Sequence, residues 1–148
     1  MATELKFMVK KGAKVPVYKT SGAAGADVCA CIETPVILKP FERTAVPTGL
    51  FFEIPEGYEI QVRPRSGLAL KNGIALVNAP GTIDSDYRGE LCVILINLGT
   101  EDFTIHNGDR IAQIVLSPVL KASFIEVSSI SVTERGENGF GSTGVSGN

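Results

Sequence analysis

The sequence predicts an all-β domain, a sandwich or barrel with a jelly roll as the favoured form. Three observations predict it. Short apolar runs recur at close spacing along the chain. Turn signals separate them, from 16 glycines and 8 prolines. Only residues 67–71 read as a helix, and that a short one.

The elements follow in order. Residues 5–9, 36–38 and 45–54 are the first candidate strands. Pro55-Glu56-Gly57 then turns the chain into Tyr58-Glu59-Ile60-Gln61-Val62-Arg63. That stretch alternates strictly, as a half-buried strand does. After the short helix, Asn72-Gly73 opens a strand over 74–78. Leu91-Cys92-Val93-Ile94-Leu95-Ile96 is continuously apolar, the pattern of a strand buried on both faces. Leu98-Gly99 and Asn107-Gly108 punctuate the approach to strands over 111–116 and 123–127. No internal repeat is present. From Arg135 onward the chain carries Gly136, Gly139, Gly141, Gly144 and Gly147 among serines and threonines. Such a segment cannot bury enough to fold by itself. The expected organisation is a β domain over 1–134 and a flexible arm over 135–148.

Composition narrows the function classes. The 148 residues suit one domain, and 44% hydrophobic content suffices for a core. The net charge of −2 gives no pull on nucleic acid, and the longest basic run is Lys10-Lys11. Cys29, Cys31 and Cys92 make an odd count without a Cys-x-x-Cys pair. This argues for reduced thiols, and against a disulfide framework or a zinc ribbon. The first eleven residues have no apolar signal core, and no run approaches ~18 apolar residues. A cytoplasmic protein without a membrane partner is expected.

Three segments carry chemistry. Pro64-Arg65-Ser66-Gly67-Leu68-Ala69 ends a strand with a cation, a hydroxyl and a glycine. Exposed backbone N–H groups at such a turn bind phosphate oxygens, although a tight turn with an N-cap serine has the same composition. Asn78-Ala79-Pro80-Gly81-Thr82-Ile83-Asp84-Ser85-Asp86-Tyr87-Arg88-Gly89-Glu90 sets two carboxylates beside a tyrosine between apolar strands. If extended there, the chain holds Asp84 and Asp86 on one face. This is either a polar hairpin tip or a carboxylate aimed at a water above an aromatic floor. Gly108-Asp109-Arg110-Ile111-Ala112-Gln113 opens a turn into a strand bearing one glutamine, and by itself reads as a hairpin with surface charges. His106 has no partner in sequence and reads as structural. In the last segment, Arg135 and Phe140 are a cation and an aromatic suited to closing over a nucleotide.

Together these segments resemble the five signature motifs of the trimeric dUTPase family, in the family's order. Ala24-Gly25-Ala26-Asp27-Val28 resembles the first, and Pro64 to Ala69 the second. Gly81 to Gly89 resembles the third, and Gly108 to Gln113 the fourth. Arg135-Gly136 with Gly139-Phe140-Gly141-Ser142-Thr143-Gly144 resembles the fifth. Any one motif is suggestive; five in order at compatible spacing are specific. Two positions depart from the pattern. Ala26 stands where an aromatic is usual, and Glu137-Asn138 where a further glycine is usual.

The resemblance implies a jelly roll assembled as a homotrimer with active sites shared between chains. It implies hydrolysis of dUTP to dUMP and pyrophosphate with Mg²⁺, keeping uracil out of DNA and supplying dUMP for dTMP synthesis. Asp84 would activate the attacking water and accept a hydrogen bond from the 3′-OH. Tyr87 would pack under the deoxyribose and leave no room for a 2′-OH. Asn78, with backbone around Gly81, Thr82, Ile83 and Cys92, would bind the uracil edge. Arg65, Ser66, Gly67 and Gln113 would hold phosphates, and Asp27 would reach the metal through a water. Arg135, Phe140, Gly141, Ser142 and Thr143 would close over the nucleotide, Phe140 on uracil and Arg135 at the γ-phosphate. Mg²⁺ prefers triphosphate oxygens and water, which suits a chain without a tight carboxylate cluster. Two alternatives are a dCTP deaminase of similar fold and a nucleotide-binding regulatory module. The deaminase needs an acid/base pair at the base's amino group, for which the chain offers no candidate. The regulatory module would be favoured by loss of Asp84 or of the arm, and both are present.

Overall fold

A computed structural model describes residues 3–145. Eleven strands and one helix make up its regular structure: β1 (Lys6–Val9), β2 (Ala26–Cys29), β3 (Val36–Leu38), β4 (Arg43–Pro47), β5 (Leu50–Glu53), β6 (Tyr58–Arg63), α1 (Ser66–Asn72), β7 (Ile74–Leu76), β8 (Gly81–Ile83), β9 (Cys92–Asn97), β10 (Phe103–Ile105) and β11 (Arg110–Pro118). The predicted all-β class holds. Two larger sheets dominate, ordered β2-β11-β6-β8 and β4-β9-β7, with two-stranded β1-β5 and β10-β3 beside them. All the pairings are antiparallel.

Alternation sets the layers. In β6, Ile60 and Val62 point into the core, while Glu59, Gln61 and Arg63 face out. The outward face of this sheet is polar across its strands: Asp27 lies opposite Gln113, Gln113 opposite Arg63, and Gln61 opposite Thr82. The inward face supplies Val28, Ile60, Val62 and Ile114, and the β4-β9-β7 sheet supplies Val46, Val93, Leu95, Ile74 and Leu76. Ala26 joins this core at 3% exposure, so the position departing from the family pattern is a packing position.

Some elements differ from expectation. The strand expected over 45–54 is two strands, broken at Thr48-Gly49, where Gly49 takes φ +69. An ideal Cβ there would lie 2.5 Å from the Ala13 Cβ, so glycine is required on two counts. In β9 one face is buried and the other half-buried, a milder pattern than burial on both. Short strands β2 and β8 exist because the longer β11 and β6 pair with them, and β10 pairs with the equally short β3. Residues 123–127 form no strand, and Phe124 and Ile125 are 96% and 80% exposed. Their apolar pattern is real, but among the described residues no strand pairs with it.

Candidate functional site

The expected site residues fall into three groups. The first lies where β6 runs into α1, beside β2 and β11. Asp27, 15% exposed in its side chain, meets the Arg65 Nε at 3.3 Å and the Arg110 Nη1 at 3.8 Å. Arg65 Nη1 also donates to the Arg110 carbonyl at 3.2 Å. Gln113 Nε2 donates to the Pro64 carbonyl at 3.0 Å, fixing the glutamine against the turn. Gly25 makes room for it: an ideal Cβ there would lie 2.3 Å from Gln113 Oε1. Arg65 is the N-cap of α1 and makes no side-chain cap, so Ser66 is the first helical residue and not a capping serine. Ser66 and Gly67 are exposed. A cavity of about 670 Å³ opens here, lined by Asp27, Arg65, Arg110, Lys14 and Lys19 among others. Four cations against Asp27 and Asp109 suit an anion. Arg110 thus ties two elements together, and Asp109 Oδ2 accepts the His106 N–H at 2.7 Å. His106 therefore has a local partner in Asp109, 3.6 Å from its Nδ1.

The second group lies on β8 and the loop that leads to β9. Asp84 is exposed just past β8, and Ser85 and Asp86 form a turn. The chain is not extended there, so Asp84 and Asp86 are not strand neighbours on one face. The Tyr87 N–H donates to the Asp84 carbonyl at 3.2 Å, and Arg88 Nη1 closes the turn onto the Ser85 carbonyl at 2.7 Å. The Tyr87 ring lies over Gly89, where an ideal Cβ would come within 2.4 Å of its Cζ. Its hydroxyl donates to the Glu90 carbonyl at 3.1 Å. An ideal Cβ on Gly81 would lie 3.2 Å from Asn78 Nδ2, so the Asn78 side chain leans over that strand. Cys92, the first residue of β9, is exposed. Partial burial of its thiol nonetheless raises the Cys92 pKa, Glu90 adds to this, and Lys10 opposes it. Thr82 and Asp84 line a separate cavity of about 540 Å³ with Glu56, Glu59 and Asp86.

The third group is residues 135–145. Arg135 Nε donates to the Asn138 carbonyl at 2.9 Å, and the Ser142 N–H to Gly139 at 3.1 Å. Phe140, Gly141, Ser142 and Thr143 are exposed and make local turns only, with φ of +49 at Phe140 and +83 at Gly141. Ser146, Gly147 and Asn148, the end of the expected arm, lie outside the described residues.

One chain keeps these groups apart. In the β6-β8 ladder Ile60 faces Ile83 and Val62 faces Gly81. Asp84 therefore leaves the ladder near Glu59, six residues from Arg65 along β6. At ~3.3 Å per residue the two functional ends are about 20 Å apart, longer than a triphosphate. Sequence reasoning named the residues of both ends but gave Gly89 and Glu90 no separate role, since their roles depend on contacts made in the fold.

Comparison with known proteins decides the family. The dUTPase family model matches residues 11–144. The chain belongs to the dUTPase family. A curated relative from Treponema denticola, named deoxyuridine 5'-triphosphate nucleotidohydrolase, is 62% identical over 142 residues, covering 96% of this chain and 99% of that one. A relative of the same name from Fusobacterium nucleatum is 55% identical, covering 95% and 97%. Among solved structures, a point mutant of the Staphylococcus bacteriophage 80alpha dUTPase with dUpNHpp superposes with a TM-score of 0.87. It is 28% identical and covers 97% of this chain and 100% of its own. The dUTPase of phage phi11 of S. aureus, at 22% identity and a TM-score of 0.79, shares the fold, and that study concerns a structural Mg(II) ion in the phage protein. Among the described residues of this chain, no three His, Cys, Asp or Glu side chains group to hold a metal. Both oxygens of Asp27 face arginines. No helix of the described residues is long and apolar enough to cross a membrane.

Proposed function

We infer that this chain hydrolyses dUTP to dUMP and pyrophosphate, with Mg²⁺ as cofactor. The observation that carries the reading is the family match across 11–144, with all five motifs in order on one jelly roll. Asp84 is the general base. It takes a proton from water as the water oxygen bonds to the α-phosphorus. The bond from that phosphorus to the bridging oxygen breaks, and pyrophosphate leaves with the electron pair. Asp84 is exposed just past β8, open to a water and to the nucleotide. Phosphoryl chemistry of this kind needs chiefly positioning and charge neutralisation.

The other residues supply that positioning. Arg65, Ser66, Gly67 and Gln113 hold phosphate oxygens at the end of β6, where the cavity beside Asp27 is rich in cations. Mg²⁺, when bound, neutralises phosphate oxygens; Asp27 would hold it through a water. Asn78 and the backbone of Gly81, Thr82, Ile83 and Cys92 read the uracil edge. A polar edge left unpaired by cytosine rejects that base by roughly 10⁴-fold. Tyr87, with its ring fixed over Gly89, closes the space a 2′-OH would occupy. Arg135, Phe140, Gly141, Ser142 and Thr143 belong to an arm over 135–148 that covers the nucleotide and excludes water.

The working unit is a homotrimer, in which the Asp84 group of one copy meets the Arg65 group of another. The separation of about 20 Å within one chain supports this. So do the exposed apolar side chains of Leu120, Phe124, Ile130 and Val132, which lack partners within the described residues. We place the enzyme in the cytoplasm, with dUTP as its substrate partner and no part for nucleic acid or a membrane. The test is product analysis. The protein is incubated with Mg²⁺ and dUTP, dCTP, dTTP or UTP, and nucleotides, pyrophosphate and ammonia are resolved. Monophosphate and pyrophosphate from dUTP alone establish the reading. Ammonia from dCTP would replace it with the deaminase.

A further inference from the structure

The Tyr87 ring is held from below and from its tip. Gly89 leaves the space beneath it, and the Glu90 carbonyl accepts its hydroxyl proton. The orientation of the ring therefore depends on where the 89–90 peptide sits. That peptide is secured through the Glu90 side chain. Its Oε1 accepts the Gly49 N–H at 2.8 Å, and its Oε2 accepts from Lys10 Nζ at 2.7 Å. The neighbouring bonds are equally dense. Leu91 N–H donates to the Leu50 carbonyl at 2.8 Å, and buried Thr48 Oγ1 donates to the Leu91 carbonyl at 2.6 Å. Lys10 is anchored in turn, since its own N–H donates to the Gly49 carbonyl at 2.8 Å.

We propose that Glu90 is a positioning residue for sugar discrimination, clamping the Tyr87 ring through the Gly49–Lys10 corner. The path runs from the end of β1, across the β4-β5 corner, to the residue that faces the sugar. Glu90 touches no substrate in this scheme; it fixes the carbonyl that fixes the ring. Its carboxylate has the geometry for this task, since each oxygen is committed to a different element 41 or 80 residues away in sequence. With its side chain 20% exposed, Glu90 is shielded from competing water more than Lys10 at 55%. The hydrogen bond that Lys10 donates to Glu90 raises the Lys10 pKa, so Lys10 stays charged through neutral pH. The proposal rests on the reading of Tyr87 as the residue under the deoxyribose.

The experiment compares kcat and KM for dUTP and UTP in the full-length wild type, E90A, E90Q, K10M, Y87F, Y87A and E90A/Y87F. Melting curves confirm folding. E90A should lower the dUTP-over-UTP ratio of kcat/KM roughly tenfold, mostly through KM for dUTP. E90Q keeps an acceptor for Gly49 and should stay within about threefold of wild type. K10M should cost about threefold, and the E90A and Y87F losses should overlap in the double variant, because both act through one hydrogen bond. If Y87A destroys discrimination while folded E90A retains it, the clamp is overturned and the sugar gate stands. If Y87A retains discrimination, the reading of Tyr87 falls, and with it the clamp's purpose. Should E90A fail to fold, K10M decides: an unchanged ratio there overturns the clamp.

Discussion

If Asp84 and Arg65 act on one substrate from different copies, two inactive variants should repair each other. The structure sets the premise. Asp84 leaves β8 opposite Glu59, and Arg65 lies six residues on, about 20 Å away at strand rise. Asp84→Ala removes the base, and Arg65→Gln removes a phosphate contact while keeping part of the side chain beside Asp27. Each homotrimer should retain about 1% of wild-type turnover or less. The two chains are then co-expressed with different tags, and mixed trimers are isolated by sequential capture on both. Around any ring of three, one and only one site then takes Asp84 from an Arg65→Gln chain and Arg65 from an Asp84→Ala chain. That holds for either mixing ratio and either direction around the ring, so mixed trimers should regain about one third of wild-type turnover per mole. The assay is pyrophosphate release from saturating dUTP. Activity no higher than that of the two parents would refute the shared site and require both groups to act within one chain.

Other expectations follow from single contacts. Asp84→Ala by itself should cut turnover by ~10³-fold or more while dUTP still binds, seen by comparing kcat with equilibrium binding of the nucleotide. Removing 135–148 should leave a folded protein with little activity; full activity would make the segment a mere tail. Gly25→Ala should push Gln113 off the Pro64 carbonyl, raise KM for dUTP and lower stability by about 1–2 kcal/mol, read from denaturant unfolding. The Cys92 thiol, its pKa raised first by burial and then by Glu90, stays protonated at a pH where a free thiol has begun to ionise. Its alkylation by iodoacetamide at pH 8 should be slower than that of a free cysteine peptide, accelerate above that pH, and be blocked by a non-hydrolysable dUTP analogue. Rapid alkylation that ignores the analogue would remove Cys92 from the uracil pocket.

The sequence by itself determined the all-β class and most of the strands, because alternation and turn chemistry are local properties. Tyr58 to Arg63 shows its period of two wherever it is placed, and Asn72-Gly73 turns for reasons internal to the dipeptide, with Gly73 at φ +67. Five motifs in order likewise named the family and the residues to examine. Tertiary structure decided what depends on partners. The run over 45–54 reads as one strand until Gly49 must turn between Ala13 and Cys31. The apolar stretch over 123–127 has a strand's composition, yet a strand exists only where another chain segment pairs with it. Arg110 read as a surface charge because Asp27, its partner, lies 83 residues back and reaches it only across the β2-β11 ladder. Glu90 had no role of its own in the sequence because Lys10 and Gly49 become its neighbours only when β1, the β4-β5 corner and the start of β9 converge. Side-chain chemistry is written in the sequence; the distances that turn it into a site depend on long-range pairing, which local pattern does not encode.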